Sequence, residues 1–149
     1  MDFFCYFLLW NLTLYWTHWL GHRIPYIRDF HLQHHKRISY NLKHGVVNRW
    51  HWSNIFLFND DWTSTIDYWI TEIIPTLLFC TFTGQWWIMI VYYFWAAFIQ
   101  ESVEHNPKIN LPFMLSGHRH VLHHKKSTVN YGVLFPIWDK LFGTLKNVS

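Results

Sequence analysis

HLQHHKR, residues 31–37, returns almost unchanged as HVLHHKK at residues 120–126. Both copies read His-x-x-His-His followed by two cations. The chain has 12 histidines in 149 residues, so a five-residue window matches this pattern by chance with a probability of about 0.0005. Roughly 0.08 matches are then expected along the whole chain, and two copies demand a cause. On a helix, positions i, i+3 and i+4 project within one sector. His31, His34 and His35 therefore share a face, and so do His120, His123 and His124. His18 and His22, in HWLGH, lie one helical turn apart. The spacing predicts an all-α fold whose helices carry imidazoles toward one place.

The rest of the chain is read outward from these helices. Its length fits one domain, residues 1–149, and no internal domain repeat or Gly/Ser linker is visible. It is 51% hydrophobic and 21% aromatic, too apolar for a disordered chain. Eleven tryptophans and eight tyrosines suit an environment that rewards amphipathic rings, such as a membrane interface. A net charge of +3 gives no support for a nucleic-acid partner. Cys5 and Cys80 both sit in apolar runs and read as small buried hydrophobes, not as a disulfide or zinc framework. The N-terminus MDFFCYF lacks the marks of a cleavable signal peptide.

Cations are segregated. All twelve lysines and arginines fall between Arg23 and Arg49 or between Lys108 and Lys146. The uncharged run FFCYFLLWNLTLYWTHWL, residues 3–20, would as a helix reach about 27 Å, close to the hydrocarbon thickness of a bilayer. Residues 66–104 form a second apolar region, interrupted by Gly84 and kinked by Pro75, which predicts a helical hairpin. The polar stretch Phe58–Thr65 separates it from the first basic block. Asp67 and Glu72 weaken its first arm as a span, and the arms could cross a thin membrane or form a re-entrant wedge. About three apolar spans would put both basic blocks, and every histidine from His18 onward, at the cytoplasmic face. A soluble helical bundle is the plainer alternative.

Taken alone, His18 and His22 could be merely interfacial, and one triplet could be a pH-sensitive or headgroup-binding surface. Two triplets and a pair on one side instead predict convergence on metal. His105, directly after the second hairpin arm, should return to the same interface, which brings the candidate ligands to nine. His44, His51 and His118 match no helical ligand spacing with a partner and are assigned to the surface or to roles supporting the ligands. One zinc takes about four ligands, so nine histidines suit two ions. Imidazole alone does not choose among zinc, copper, iron and nickel. Glu101 and Glu104 could orient imidazoles or could simply form a solvated helix end.

At these residues the chain resembles the fatty acid hydroxylase/sterol desaturase superfamily of integral-membrane, histidine-rich di-iron oxygenases. HWLGHRIPYIRDFHLQHH, His18 to His35, resembles the first two histidine boxes of that superfamily. HVLHHKKSTVNYGVLFPIWDKLFGT, His120 to Thr144, resembles the third, with NYG and WDKLFGT its distinctive ending. EHNPKINLP, Glu104 to Pro112, resembles the segment before it. Residues 36–100 match mainly in hydropathy. A second histidine four residues after His105 is absent, since Ile109 stands there, and the chain begins almost at the ligand-bearing helix where many members have earlier spans.

The resemblance implies an integral-membrane helical fold with a cytosol-facing metal site. It implies two iron ions held by His18, His22, His31, His34, His35, His105, His120, His123 and His124. Glu101, Glu104, Asn130, Tyr131 and Asp139 would support them through hydrogen bonds, and Trp138 and Asp139 could make a turn that closes the site. Dioxygen would oxidise a C–H bond of a membrane lipid, with electrons from a separate reductase and a small cytochrome or ferredoxin. Homo-oligomerisation could supply packing that the short chain lacks. Hydroxylation is the leading expectation and desaturation the second, since both begin with the same hydrogen abstraction. A non-catalytic metal-binding or metal-transporting membrane protein is the competing class. It predicts polar ligands inside the spans, and residues 3–17 and 86–99 carry no histidine, aspartate or glutamate.

Overall fold

A computed structural model describes residues 2–47, 49–59 and 61–147, and among them it is helical with no strand. Helix α1, Phe3–Gly21, buries Trp10, Asn11, Leu14, Tyr15, His18 and Gly21. That is one continuous stripe, so the packing that hides Trp10 and Leu14 also turns His18 inward. Helix α2, Pro25–Lys43, has proline at its first position, where a missing N–H removes no helical bond. It buries His31, His35 and Ile38 along a second stripe. A short 3₁₀ turn, Trp52–Phe56, follows and is capped by His51, whose Nδ1 accepts from the Ser53 backbone N–H at 3.3 Å.

The hairpin forms as its sequence predicts. Its first arm joins α3, Trp62–Tyr68, to α4, Ile74–Thr83, through a π-helical turn at Trp69–Ile73. Asp61 caps it by accepting the Ser64 N–H at 2.9 Å. Pro75 lies just after the π-helical turn, so the expected disturbance appears as a widened turn. Gly84 ends the arm at φ 72°, a left-handed conformation that favours glycine. The second arm joins α5, Trp86–Trp95, to α6, Glu101–Glu104, through another π-helical turn at Ala96–Gln100. Helix α7, His118–Lys125, packs on α2, and the short α8, Ile137–Leu141, buries Asp139.

Trp10, Leu14, Tyr68, Ile73, Cys80, Ile88, Tyr92, Val133 and Leu134 make the apolar core, which joins α1, the hairpin and the loop before α8. Trp10 donates its indole N–H to Thr76 Oγ1 at 3.0 Å and meets the Tyr92 ring edge-on. Cys80 is buried as expected, but Cys5 is exposed, because it lies off the buried stripe of α1.

The three expected spans are not confirmed: no helix among the described residues is long and apolar enough to cross a membrane. The cause is local. Asn11, Thr13, Thr17 and His18 dilute α1, and the hairpin arms carry Asp67, Glu72, Glu101 and Glu104 and are divided by the π-helical turns.

Candidate metal centre

All nine candidate ligands come together, but not as one set. His18, His22, His31, His35 and His123 form a first group whose candidate ligand atoms lie within 4.8 Å of one another. His34, His105 and His124 form a second group on the same criterion, and His120 joins it. Its Nε2 lies 3.2 Å from His105 Nε2 and 3.0 Å from His124 Nε2. Each triplet is therefore divided between the two groups. His31 and His35 face one while His34 faces the other, and His123 parts from His120 and His124 in the same way. The rings of His35 and His124 lie 4.3 Å apart and join the two.

The first group has a proton arrangement that tests for a cation. His18 Nδ1 donates to the Tyr131 carbonyl at 2.7 Å, and His123 Nδ1 donates to the Val129 carbonyl at 2.7 Å. His31 Nδ1 lies 3.0 Å from both oxygens of Asp67. A neutral imidazole protonated at Nδ1 presents only a lone pair at Nε2. Yet His31 Nε2 lies 3.1 Å from His18 Nε2, 3.0 Å from His22 Nε2 and 3.1 Å from His35 Nε2. His22 Nε2 is also 3.1 Å from His123 Nε2. Lone pairs facing at this distance repel unless a cation lies among them. Ligands set at right angles about an ion, with metal–nitrogen bonds of about 2.1 Å, stand about 3.0 Å apart. The donor set fits a metal ion.

The second group is built differently. The Nδ1 atoms of His105, His120 and His124 have no hydrogen-bond partner among the described residues. Glu101 Oε1 approaches His105 Nδ1 only to 3.7 Å. Glu104 turns elsewhere: its Oε2 accepts from Gln100 Nε2 at 3.2 Å, while Oε1 has no partner among the described residues. Gln100 Nε2 also reaches Glu72 at 3.0 Å, and Tyr92 donates to Glu72 Oε2 at 2.9 Å. Both Glu101 and Glu104 are buried, which removes the solvated helix end as an explanation. The acids and the second histidine group line a common chamber of about 40 Å³, which His18, His31 and His35 of the first group also reach. The two π-helical turns contribute Thr71, Glu72 and Gln100 to it, an example of such turns re-aiming side chains.

The NYG and WDKLFGT segments form the knot that holds the first group. Asp139 accepts from the Tyr131 N–H at 2.7 Å, the Gly132 N–H at 2.8 Å and Thr144 Oγ1 at 2.7 Å. A Cβ on Gly132 would stand 2.6 Å from the Phe135 carbonyl oxygen and 2.7 Å from Asp139 Oδ2, so only glycine fits there. Asn130 takes φ 56° and ties the Arg119 and Lys146 carbonyls through its amide at 2.9 and 3.0 Å. The carbonyls that receive His18 and His123 flank Asn130 in sequence.

Burial pushes the imidazoles of His34, His35, His120, His123 and His124 well below the ordinary histidine pKa, and neighbouring imidazoles push in the same direction. His22 is lowered by the same two causes. His105 falls to about 3 through burial, with Arg37 adding to it. These groups are neutral at pH 7, the form that binds metal. Burial raises the Asp139 carboxyl against its three hydrogen bonds. His44, His51 and His118 are exposed, which leaves them to the surface. In the sequence Asp67 and Glu72 stand out only as flaws in a span. A buried acid in an apolar arm was the available signal that they belong to a site.

The fatty acid hydroxylase family model matches residues 3–144. The chain belongs to the fatty acid hydroxylase family. Among curated relatives, it is 27% identical to cholesterol 25-hydroxylase-like protein 1, member 2, of Danio rerio, over 92% of this chain and 48% of that protein. It is 30% identical to the Delta(7)-sterol 5(6)-desaturase ERG3A of Gibberella zeae, over 97% of this chain and 38% of that protein. The chain thus spans less than half the length of either relative. No solved structure matches it. The family and the two relatives bear the names of fatty acid or sterol hydroxylases and desaturases, and the matched region contains both histidine groups.

Proposed function

We propose that this chain holds two iron ions, one in each histidine group, and uses dioxygen to hydroxylate a C–H bond of a membrane lipid. The observation that carries the reading is the gathering of imidazole Nε2 atoms at 3.0–3.2 Å in two adjoining groups, with Nδ1 of His18, His31 and His123 already committed elsewhere in the first. Bound iron would supply the reductive activation of dioxygen, in which one oxygen atom enters the lipid and the other leaves as water, at a cost of two electrons and two protons. The chain's own residues have simpler tasks. Tyr131 and Val129 carbonyls and Asp67 fix imidazole tautomers, the buried wall excludes bulk water, and the acid-lined chamber offers groups that can hold protons beside the second group.

A membrane setting is part of the proposal. Phe3, Phe4, Leu78, Phe82, Trp86, Ile90 and Phe94 expose large apolar side chains on α1, α4 and α5. Water disfavours such a surface by roughly 25 cal/mol for each Å² of apolar area, whereas hydrocarbon does not. The cation blocks would then place the metal face toward the cytoplasm. Desaturation is the second reading, favoured by the likeness to the fungal sterol desaturase.

Metal analysis of detergent-purified protein, combined with a lipid profile of an expressing host, tests the proposal. Roughly two irons per chain and a new oxygenated lipid are expected. A single zinc, or no metal, with an unchanged lipid profile would overturn it. A new double bond without a new hydroxyl would select desaturation.

A further inference from the structure

The oxidation proposed above draws its electrons from a separate carrier, and one face of the molecule has the shape and charge to receive it. Helices α2 and α7 lie side by side, with Ser39 Oγ 3.5 Å from the His124 carbonyl. Two depressions of about 230 and 460 Å³ open along this seam and share Ser39, His124 and Lys125. The smaller one also reaches His35. His35 belongs to the first histidine group and His124 to the second, so the groove floor touches both groups at the point where their rings meet. By contrast, the apolar depression around Trp62 and Trp69 reaches none of the nine candidate ligands.

The rim of the groove carries a single sign of charge. Lys36, Lys43 and Lys125 line it, all three are exposed, and no aspartate or glutamate among the described residues lines either depression. A cationic concavity above the two imidazoles complements an acidic surface and would raise the encounter rate with one. The groove also differs from the apolar faces assigned to lipid. Among the described residues it has no tryptophan, tyrosine or phenylalanine in its lining, whereas Phe56, Phe58, Trp62 and Trp69 line the apolar depression on the hairpin side.

From this juxtaposition we propose that the α2–α7 groove is the docking site of an acidic electron-carrier protein, with His35 and His124 the points of electron entry. The inference rests on the lipid-oxidation reading only for its need of a carrier. Each docking event transfers one electron from the reduced carrier to the metal centre and releases the carrier oxidised. Two events supply the two electrons that the oxidation consumes, and no bond of the chain forms or breaks.

The test uses the full chain in detergent, loaded with iron, and two acidic probes: a plant-type ferredoxin and the soluble haem domain of a b-type cytochrome. Mitochondrial cytochrome c, a basic protein, is the control. Binding is measured by titration, and iron reduction by rapid mixing with reduced ferredoxin or with dithionite. The acidic probes should bind and cytochrome c should not, with affinity falling about tenfold or more between 50 and 200 mM salt. Lys36→Glu with Lys125→Glu should weaken binding and slow reduction by ferredoxin at least about tenfold. Iron content and reduction by dithionite should be unchanged in that variant. Lys140→Glu with Arg49→Glu, an equal change of charge away from the groove, should leave carrier binding intact.

The proposal is overturned if neither acidic probe binds while dithionite still reduces the iron. It is equally overturned if the control variant weakens binding as much as the groove variant. Loss of phosphatidylserine-vesicle binding in the groove variant, with ferredoxin reduction intact, would assign the groove to lipid headgroups instead. A chain that binds the acidic probes at the groove but holds no reducible iron would overturn the proposed function and leave the docking site standing.

Discussion

The two histidine groups share helices and burial, yet they are held in different ways. In the first, three of the imidazoles point Nδ1 at a fixed acceptor: His18 at the Tyr131 carbonyl, His123 at the Val129 carbonyl and His31 at Asp67. In the second, His105, His120 and His124 have no partner at Nδ1 among the described residues. Fixed acceptors set tautomer and ring orientation before any ion arrives. The first group is thus preorganised and the second takes its final arrangement around its ion. The first should hold metal more tightly and the second exchange it more readily.

The harshest way to break this comparison is His31→Ala. His31 Nε2 faces three other imidazole nitrogens of the first group at 3.0–3.1 Å, so no other residue of that group is as central. The variant should lose the first ion, keep the second and form no detectable lipid product. Metal content per chain and a lipid profile read this directly. Retention of both ions would show that the division into groups is wrong.

Acid acts on both groups at once. His34, His35, His105, His120, His123 and His124 all have lowered pKa values, His105 down to about 3. A depressed histidine costs the folded state nothing above its unfolded pKa of about 6.5. Below that pH the unfolded chain takes up the proton first, so stability falls as pH falls, until the folded pKa is reached. Each histidine that stays neutral removes about 1.4 kcal/mol per pH unit in this window. Metal-free protein should therefore lose stability steadily as pH falls from about 6.5 to 5. Denaturant unfolding at a series of pH values checks it, and a flat profile would show that these imidazoles are already open to solvent.

Much of the centre was legible because its signals are local. The i, i+3, i+4 spacing identified both triplets, and WDKLFGT supplied Asp139 and Thr144 of the knot. Gly84 marked the hairpin for the reason the structure shows, a left-handed φ. The division of each triplet was not legible, since three residues in one helical sector can face one ion or straddle two. Neither were the π-helical turns, which depend on how the arms pack. Asp67 was seen in the sequence but misassigned, because its partner His31 is 36 residues away. The expectation of three spans weighed the tryptophan-rich runs more heavily than the polar residues that interrupt them.

A milder break leaves every imidazole in place. Asp139→Asn keeps the shape of the knot but loses the charge that receives the Tyr131 and Gly132 N–H groups and the Thr144 hydroxyl. One amide nitrogen would then face a donor. The expected loss is about 3 kcal/mol of unfolding free energy. Because Tyr131 and Val129 carry the acceptors of His18 and His123, metal affinity should fall in the first group and hold in the second. Equal loss in both groups would mean that the knot supports the whole fold and does not distinguish the groups.

The finest test sets one carboxylate of each region against the other. Asp67 lies 3.0 Å from His31 Nδ1 through both of its oxygens, whereas Glu101 approaches His105 Nδ1 only to 3.7 Å. The first distance is a charge-assisted hydrogen bond and the second is too long to be one. Asp67→Asn removes the carboxylate that makes His31 a stronger ligand, and such losses weaken metal binding about 10- to 100-fold. Glu101→Gln should weaken it less than about tenfold, because it has no direct bond to His105 to lose. Chelator competition on the two variants gives both numbers. If Glu101→Gln proves the more damaging, the second group closes around its ion through Glu101, and the preorganised half of the centre has been misidentified.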